Sequence, residues 1–519
     1  MDNDVIEQLE HPKLLPAKKD EMKKTAAKLK ELGKEWRKDH AARDKDGKIK
    51  RLFHVPLREI ADMIENNLTF ARVVDRIESR KDRATAPLMF QDKDEGIYIH
   101  DTALLLDLIN KVERNTDENG AKKVLYWLLR DSDYKQRTKA KYLVPVGNGV
   151  YNRNTDQLES YENYVFTSKV CTDYVNNPTV PSLNGWRIDK WIENDICENN
   201  PEKETLFWQA AYCIANPSDN KKGSLMFVDD GRGNTGKGTV QELFTQLVGV
   251  DNRANLSIEE FEDDFKIAEA VNAALIVGDD NNPNSYIKDS RKLKSIIAKE
   301  NILINPKFEK PFSFTITAFS IQSMNGMPRF KDTSEALYDR FRVLKFNKRY
   351  EDNEVDLNVK DKYVRDKRVL EWVLYKALHV KPFSRLIKTQ ESNQIIHDSQ
   401  INGDPVREFI SEHMGEFKST AIPSAALFNI FRTVYQSENG KATQLSQRAF
   451  TAHAKALTPK HGWSYEKDTR VKDGWNEADK EYFMHRYDVN YLRGMGNGYS
   501  YPFTVSHNDK GVFVKTENR

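Results

Sequence analysis

Apolar spacing along the chain changes character several times. Residues 1–51 read as weakly apolar helix, clearest from Lys23 to His40, broken at Asp44-Lys45-Asp46-Gly47. From Leu52 to Thr205 helical and strand-like patterns mix. Leu104-Leu105-Leu106 with Leu108-Ile109 and the run Val124 to Leu129 predict two helices. Tyr142 to Val146, then Gly147-Asn148-Gly149-Val150-Tyr151, predicts strand, turn, strand. Leu206 to Ile214 is apolar on one helical face. A strand–helix rhythm follows, with strands expected at 224–229, 272–278 and 314–324, the rhythm of a parallel sheet flanked by helices. Asp361 to Leu378 predicts one long helix, with Val369, Leu370, Val373, Leu374 and Leu378 on a stripe, and polar Lys388 to Gly403 reads as a linker. Asp404-Pro405 is a helix start with Pro at the first helical position. Ser424 to Gln436 and Ser446 to Leu457 each carry one apolar face, and 463–471 and 481–489 look strand-like. Helices ending in a hairpin predict a winged helix. The expected parts are a basic helical arm (1–51), a mixed α/β domain (52–205), an α/β core (206–350), a helical lid and linker (351–403) and a winged-helix-like domain (404–519).

Composition narrows the class. At 39% hydrophobic and 31% charged residues the chain reads as a water-exposed globular protein of several domains, and no stretch approaches the ~18 apolar residues of a membrane span. Met1-Asp2-Asn3-Asp4 carries no apolar secretion signal. Cys171, Cys197 and Cys213 lack metal-ligand spacing and suit a reducing compartment, so the cytoplasm is expected. The net charge of +2 hides an asymmetry, because Lys13 to Arg51 holds 15 Lys and Arg against 7 Asp and Glu. Such a segment attracts nucleic acid or forms a solvated basic helix.

Candidate chemistry begins where the apolar run Leu225-Met226-Phe227-Val228 enters Asp229-Asp230-Gly231-Arg232-Gly233-Asn234-Thr235-Gly236-Lys237-Gly238-Thr239. Gly231-x4-Gly236-Lys237 is a phosphate-binding loop pattern, with ATP as the expected nucleotide. Its glycines let backbone amides wrap a phosphate, and Lys237 neutralises the β/γ charge. Gly231, Gly233, Asn234, Thr235, Gly236, Lys237, Gly238 and Thr239 are therefore the nucleotide-binding candidates. Gly238 stands where a magnesium-binding hydroxyl is usual, and Thr239 comes one place later.

Ala273 to Asp280 is an apolar strand ending in two carboxylates, 42 residues beyond Lys237. Nucleotide-hydrolysing sheets need a magnesium-holding acid and a water-activating acid at this edge, which makes Asp279 and Asp280 catalytic and, with Thr239, metal-binding candidates. Asn325, at the end of the next strand, is placed to orient an attacking water, and a turn-forming Asn-Gly is the competing reading. Ile302 to Phe314 reads as a hairpin whose tip offers Lys307 and Lys310 to phosphates and Phe308 to a base or sugar, with an ordinary charged hairpin tip as the competing reading. Arg340, with Arg342 in reserve, is placed to reach a neighbouring subunit's γ-phosphate, with a surface salt bridge as the competing reading.

With these pieces in order, the chain resembles the superfamily 3 helicases within the AAA+ ATPases. It looks nearest to the phage- and plasmid-encoded primase–helicases, which share their core with the poxvirus helicase–primase. Val144 to Tyr151, the Trp208 to Asn216 helix, the hairpin Asn305 to Phe312 and Asp404-Pro405-Val406-Arg407-Glu408-Phe409 carry the likeness beside the loop. The resemblance covers about 140 to 350 well and 400 to 460 loosely. It implies an AAA+ P-loop core, ATP and magnesium as cofactors, and a ring, usually hexameric. Such a ring moves 3′-to-5′ on single-stranded and forked DNA, with origin DNA as a further partner. By motif position it makes Lys237 the phosphate lysine, Asp279 and Asp280 the acidic pair, Asn325 the sensor and Arg340 the trans finger. The Asp-Asp pair replaces the commoner Asp-Glu or Glu and leaves the base ambiguous. The N-terminal 140 residues are short for a polymerase-type primase and carry no metal-binding acidic motif, so primase activity is not expected. Two other classes compete. A nucleoside monophosphate kinase would share Gly233-x-x-Gly236-Lys237 but place it near the N-terminus, and an ATP-switched initiator or packaging protein would bind DNA without unwinding.

Overall fold

The structure is a computed structural model that describes residues 20–516 apart from 220, 232, 284, 308, 352–354, 403, 441, 470–475 and 488–509. Two compact units divide the chain, residues 1–395 and 396–519.

The first unit is built around a five-stranded parallel sheet. Its strands are β1 (Ser224–Val228), β2 (Arg253–Asn255), β3 (Leu275–Asn281), β4 (Phe319–Met324) and β5 (Phe341–Lys345), in spatial order β2-β3-β4-β1-β5. β1 and β4 lie inside the sheet and every residue of both is buried; β1 accordingly runs apolar after Ser224, whereas β4 alternates apolar residues with the buried polar Ser320, Gln322 and Ser323. Helices α1 (Pro201–Ala215) and α2 (Lys237–Val248) pack on the sheet with Leu206, Phe207, Leu243 and Phe244 in the core. Asn200 caps α1 by accepting from the amides of Glu202 and Lys203, with Pro201 opening the helix. The chain leaves β1 toward one side of the sheet and returns from β4 to β5 on the other. β1 therefore lies at a topological switch, where the carboxyl ends of the strands leave a crevice.

Ahead of the sheet, helix Glu21–Asp39 packs against helix Thr102–Val112, and a four-stranded sheet joins Phe70–Val74, Leu88–Gln91, Tyr98–Ile99 and Tyr134–Gln136. The expected strand–turn–strand forms as Leu143–Val146 and Gly149–Asn152, extended by Gln157–Glu159.

The structure corrects four readings of the pattern. The strand expected over 314–324 is two elements, because Phe312–Phe314 pairs with Ile302–Ile304 and only Phe319–Met324 joins the sheet. Between them Thr315 is tied by its hydroxyl to Asp75 (2.6 Å) and by its carbonyl to Arg137 (2.8 Å), which turns the chain out of line. The helix expected over 361–378 breaks at Asp366, whose extended backbone and carboxylate cap a new helix, Lys367–Leu378. The polar stretch read as linker forms helix Gln390–Asn402. Ser392 in its first turns accepts from the amide of Val343 (2.8 Å) and so covers part of the outer edge of β5. The stretch 481–489 is helical through Arg486 in Glu477–Arg486, and 488–489 lie outside the described residues. Asp479 in that helix takes the amides of Lys418 and Ser419, and Phe483 packs on Phe417, contacts that outweigh the strand preference of its aromatics.

The second unit places helices Pro405–His413, Ser424–Asn439 and Gln447–Leu457 around Phe409, Phe431 and Phe450, with a three-stranded sheet ordered Ala421–Pro423, Val512–Lys515, Trp463–Glu466. Asp404 caps the first helix through the amides of Val406 and Arg407. Among the described residues no helix is long and apolar enough to cross a membrane.

Candidate functional site

The loop between β1 and α2 folds tightly because it uses backbone that only a few residue types accept. Gly231, Gly233 and Gly236 have φ of 75°, 72° and 88°, and Asn234 has 49°. Asp229, buried at the end of β1, holds the loop from inside. Its carboxylate accepts from the Gly231 amide (3.0 Å) and the Thr235 hydroxyl (3.0 Å) and pairs with Lys237 Nζ (2.9 Å). Burial alone would raise the Asp229 pKa, but the bonds from Lys237, Gly231 and Thr235 hold it below the ordinary value. Lys237 also donates to the Met324 carbonyl (3.0 Å) and to Asn325 Oδ1 (2.8 Å). The lysine, the loop and the end of β4 thus meet at one point.

Asp279 and Asp280 stand exposed at the end of β3, facing the same pocket. They occupy a register break between Gly278 and Asn281, and Asp280 adopts a φ of 48°. Asn281 keeps this bulge in place. It is buried, accepts from the Ile258 amide (2.8 Å) and donates to Gly278 (3.2 Å), Gln322 Oε1 (3.1 Å) and the Ser323 carbonyl (3.0 Å). Gln322 fills the space over Gly278, where a Cβ would come within 1.9 Å of its Oε1. The acidic pair is therefore positioned by buried amides on two adjacent strands.

The pocket that joins these groups has a volume of about 660 Å³, the size range of a nucleotide site. Its lining joins the polar Lys237, Thr239, Asp279, Asp280, Ser323 and Asn325 with the apolar Trp186, Trp191, Val355, Leu357 and Val359. Tyr350 donates its amide to the Asn234 carbonyl (2.9 Å), which binds the segment after β5 to the loop. Lys360 Nζ lies 3.4 Å from the place a Cβ would occupy at Gly238, so a cation stands beside the helix start. Among the described residues no three metal-ligating side chains cluster. The donor set of Asp279, Asp280 and Thr239 nevertheless fits magnesium, which takes one or two carboxylates and fills its shell with phosphate oxygens and water.

Asp229, Asn281, Ser323, Tyr350 and Lys360 escaped the sequence reading. Asp229 had a visible signal, an acid directly ahead of a glycine-rich loop. Ser323, whose buried hydroxyl has no hydrogen-bond partner, and Asn281 look like ordinary strand residues.

Arg340 is not in this pocket. It enters β5 from the opposite edge of the sheet, its carbonyl accepting from the Ser224 amide (2.9 Å) and its guanidinium donating to Ala336. Five residues of strand, roughly 17 Å, separate it from the loop. Arg342 is buried and spends its donors on the carbonyls of Leu386, Asp339 and Phe341, which makes it a structural residue. The hairpin forms as expected from Ile302–Ile304 and Phe312–Phe314, with Lys307 and Lys310 exposed near its tip. Phe308 lies outside the described residues. Glu309 pairs with His100 (3.0 Å), whose other ring nitrogen faces the Leu88 carbonyl (2.9 Å). Burial would lower the His100 pKa, but Glu309 raises it above its ordinary value.

Residues 230–340 match a family described as a family of unknown function (DUF5906). Residues 402–490 match the family described as poxvirus D5 protein-like. Among solved structures the chain is similar to the A form of the apo C-terminal region of NrS-1, at 14% identity and a TM-score of 0.46, covering 80% of this chain and 96% of that one. A second apo structure of that region, residues 305–718, aligns at 14% identity and 0.45 over 82% and 98%. Values this low transfer no activity.

Proposed function

We propose that the chain is an ATP-dependent DNA helicase of a replication system, driven by hydrolysis at the loop of β1 and α2. One observation carries the reading. A glycine-rich loop, its lysine, two exposed carboxylates and an amide side chain come from three adjacent strands to a single pocket at the switch point. The poxvirus D5 protein-like match over 402–490 supports a replication role and DNA as the partner.

In this reading the triphosphate lies along the loop amides and the N-terminus of α2, with Lys237 turning from Asp229 to the β and γ oxygens. Lys360 adds a second cation from the opposite wall. The base packs among the apolar Trp186, Trp191, Val355 and Leu357. Magnesium, held by Asp279, Asp280 and Thr239, supplies neutralisation of the phosphate charge. One of the two carboxylates takes the proton of the attacking water, and Asn325 orients that water. A ring would give Arg340 a role, since it lies at the far end of β5 from its own subunit's loop and would serve a neighbour's phosphates. Lys307 and Lys310 would grip the backbone of the translocating strand, a contact suited to a motor that moves over any sequence.

The test is strand displacement from a forked duplex by the full chain with ATP and magnesium. The reading expects displacement that Lys237→Ala abolishes. ATP turnover without displacement on any fork polarity would make the chain an ATP-switched DNA-binding protein instead.

A further inference from the structure

Away from the sheet, a second pocket of about 740 Å³ opens between helix Glu21–Asp39 and the end of helix Thr102–Val112. Lys30, Lys34 and Arg37 recur at helical spacing along one face of the first helix, and Lys111 and Arg114 approach from the second. Only two carboxylates line it, Asp107 and Glu113. Glu113 is already committed. It is buried and accepts from the Val55 amide (3.0 Å), the Asn115 amide (3.2 Å) and Arg37 (3.1 Å). Among the described residues no carboxylate stands within ion-pair distance of Lys30, Lys111 or Arg114. Lys34 pairs with Glu31 (2.6 Å) and Arg37 with Glu113, which leaves Lys30, Lys111 and Arg114 as three cations beside the pocket without such a partner, an arrangement that an external anion relieves.

The third wall supplies a different chemistry. Phe53, 41% exposed, and Leu52, 52% exposed, line the pocket on the segment after strand Ile49–Arg51. Arg51 lies over the Phe53 ring at 5.4 Å. That short strand and its turn present Lys48, Lys50 and Arg51 to solvent just ahead of Leu52 and Phe53 in the pocket wall. A cationic track beside an exposed aromatic ring is the combination that holds single-stranded nucleic acid, with phosphates on the cations and a base on the ring.

We propose that this pocket is a single-strand binding site, seating a short stretch of the strand with one base on Phe53 and successive phosphates on Lys30, Lys111 and Arg114. It is separate from the nucleotide pocket and from the hairpin, and it gives the basic N-terminal segment a defined place of contact. The strand would enter along Lys48 and Lys50.

Anisotropy of a labelled oligothymidylate, titrated with the full chain without ATP across a salt series, tests this. Charge reversal of Lys30, Lys111 and Arg114 to Glu should weaken binding and flatten the log–log salt slope by about 2, since each single-strand phosphate contact contributes about 0.7. All three side chains are exposed, and the neutral triple change to Gln should give the same loss of slope if the Glu variant misfolds. Phe53→Ala should weaken binding by about 5- to 150-fold with little change of slope, because it removes stacking rather than charge. Basal ATP turnover should stay at the wild-type rate in each variant. Unchanged affinity and slope in the Gln and Glu variants would overturn the proposal, as would full loss of binding in Lys307→Ala/Lys310→Ala alone. Displacement of the oligomer by free dTMP at equal nucleotide concentration would assign the pocket to a mononucleotide instead of a strand.

Discussion

Asn281→Ala separates positioning from binding at the nucleotide site. The change removes an amide that bridges β3 and β4, leaving the Ile258 amide without its acceptor and taking a donor from Gly278, Gln322 and Ser323. One orphaned buried donor and a small void should cost about 2–4 kcal/mol of stability. The bulge that carries Asp279 and Asp280 then loses its fixed register, and a shift of ~1 Å in a catalytic group costs on the order of a hundredfold in rate. No atom of the loop is touched, so nucleotide affinity should hold within about threefold, less than 1 kcal/mol. Asn281→Asp should be worse than Ala in stability, because it sets a carboxylate against three oxygens. The assays are urea unfolding, titration with a fluorescent ADP analogue, and single-turnover ATP hydrolysis. Wild-type turnover in a folded but destabilised Asn281→Ala protein would refute the positioning role. Equal losses in binding and turnover would show that the bulge supports the whole pocket instead.

Arg340→Ala should bind ATP normally yet lose about 10³ or more in turnover, and mixing it with Lys237→Ala subunits should restore partial activity. A wild-type chain that stays monomeric with ATP and DNA and turns over at a rate independent of protein concentration would contradict this. Lys307→Ala/Lys310→Ala should keep basal ATPase but lose DNA stimulation and displacement, since neither lysine lines the nucleotide pocket. Normal unwinding would reduce the hairpin to a charged turn. In the C-terminal unit His413 is fully buried, and burial pushes its pKa from 6.5 down to about 4. Between those values the unfolded chain binds a proton that the folded unit refuses, so stability should fall by up to about 3 kcal/mol as pH drops from 6.5 to 4. Hydrogen exchange over 405–457 reads this, and a His413→Gln variant that falls as steeply would refute the assignment.

The chain displays its nucleotide loop in plain text because the loop's function is written in backbone. The positive φ angles at 231, 233, 234 and 236 favour glycine and, at 234, Asn, and a lysine follows. The end of β3 is legible for a related reason, since its apolar run must stop where Asp279 and Asp280 meet the crevice. What holds that end was not legible. Asn281 and Ser323 come from neighbouring strands whose pairing no local pattern reveals. Lys360 reaches Gly238 across more than a hundred residues. The helix at 390–402 was missed because its sequence has no apolar stripe, and its link to β5 through Ser392 is a single hydrogen bond between distant segments. Glu477–Arg486 was misread as a strand because aromatics favour both states until packing decides. The pocket on the N-terminal helices shows the same limit. The surplus of Lys and Arg was visible as composition, but its convergence with Lys111, Arg114 and Phe53 depends on two helices meeting.

ATP hydrolysis by the purified full chain, compared with Lys237→Ala under saturating magnesium and single-stranded DNA, tests the central claim most directly. Lys237 joins the loop, Asp229 and the end of β4. The account predicts DNA-stimulated phosphate release by the wild type and its loss in the variant, with folding checked by circular dichroism because the change leaves buried Asp229 without its cation. Equal turnover in the two proteins would contradict it.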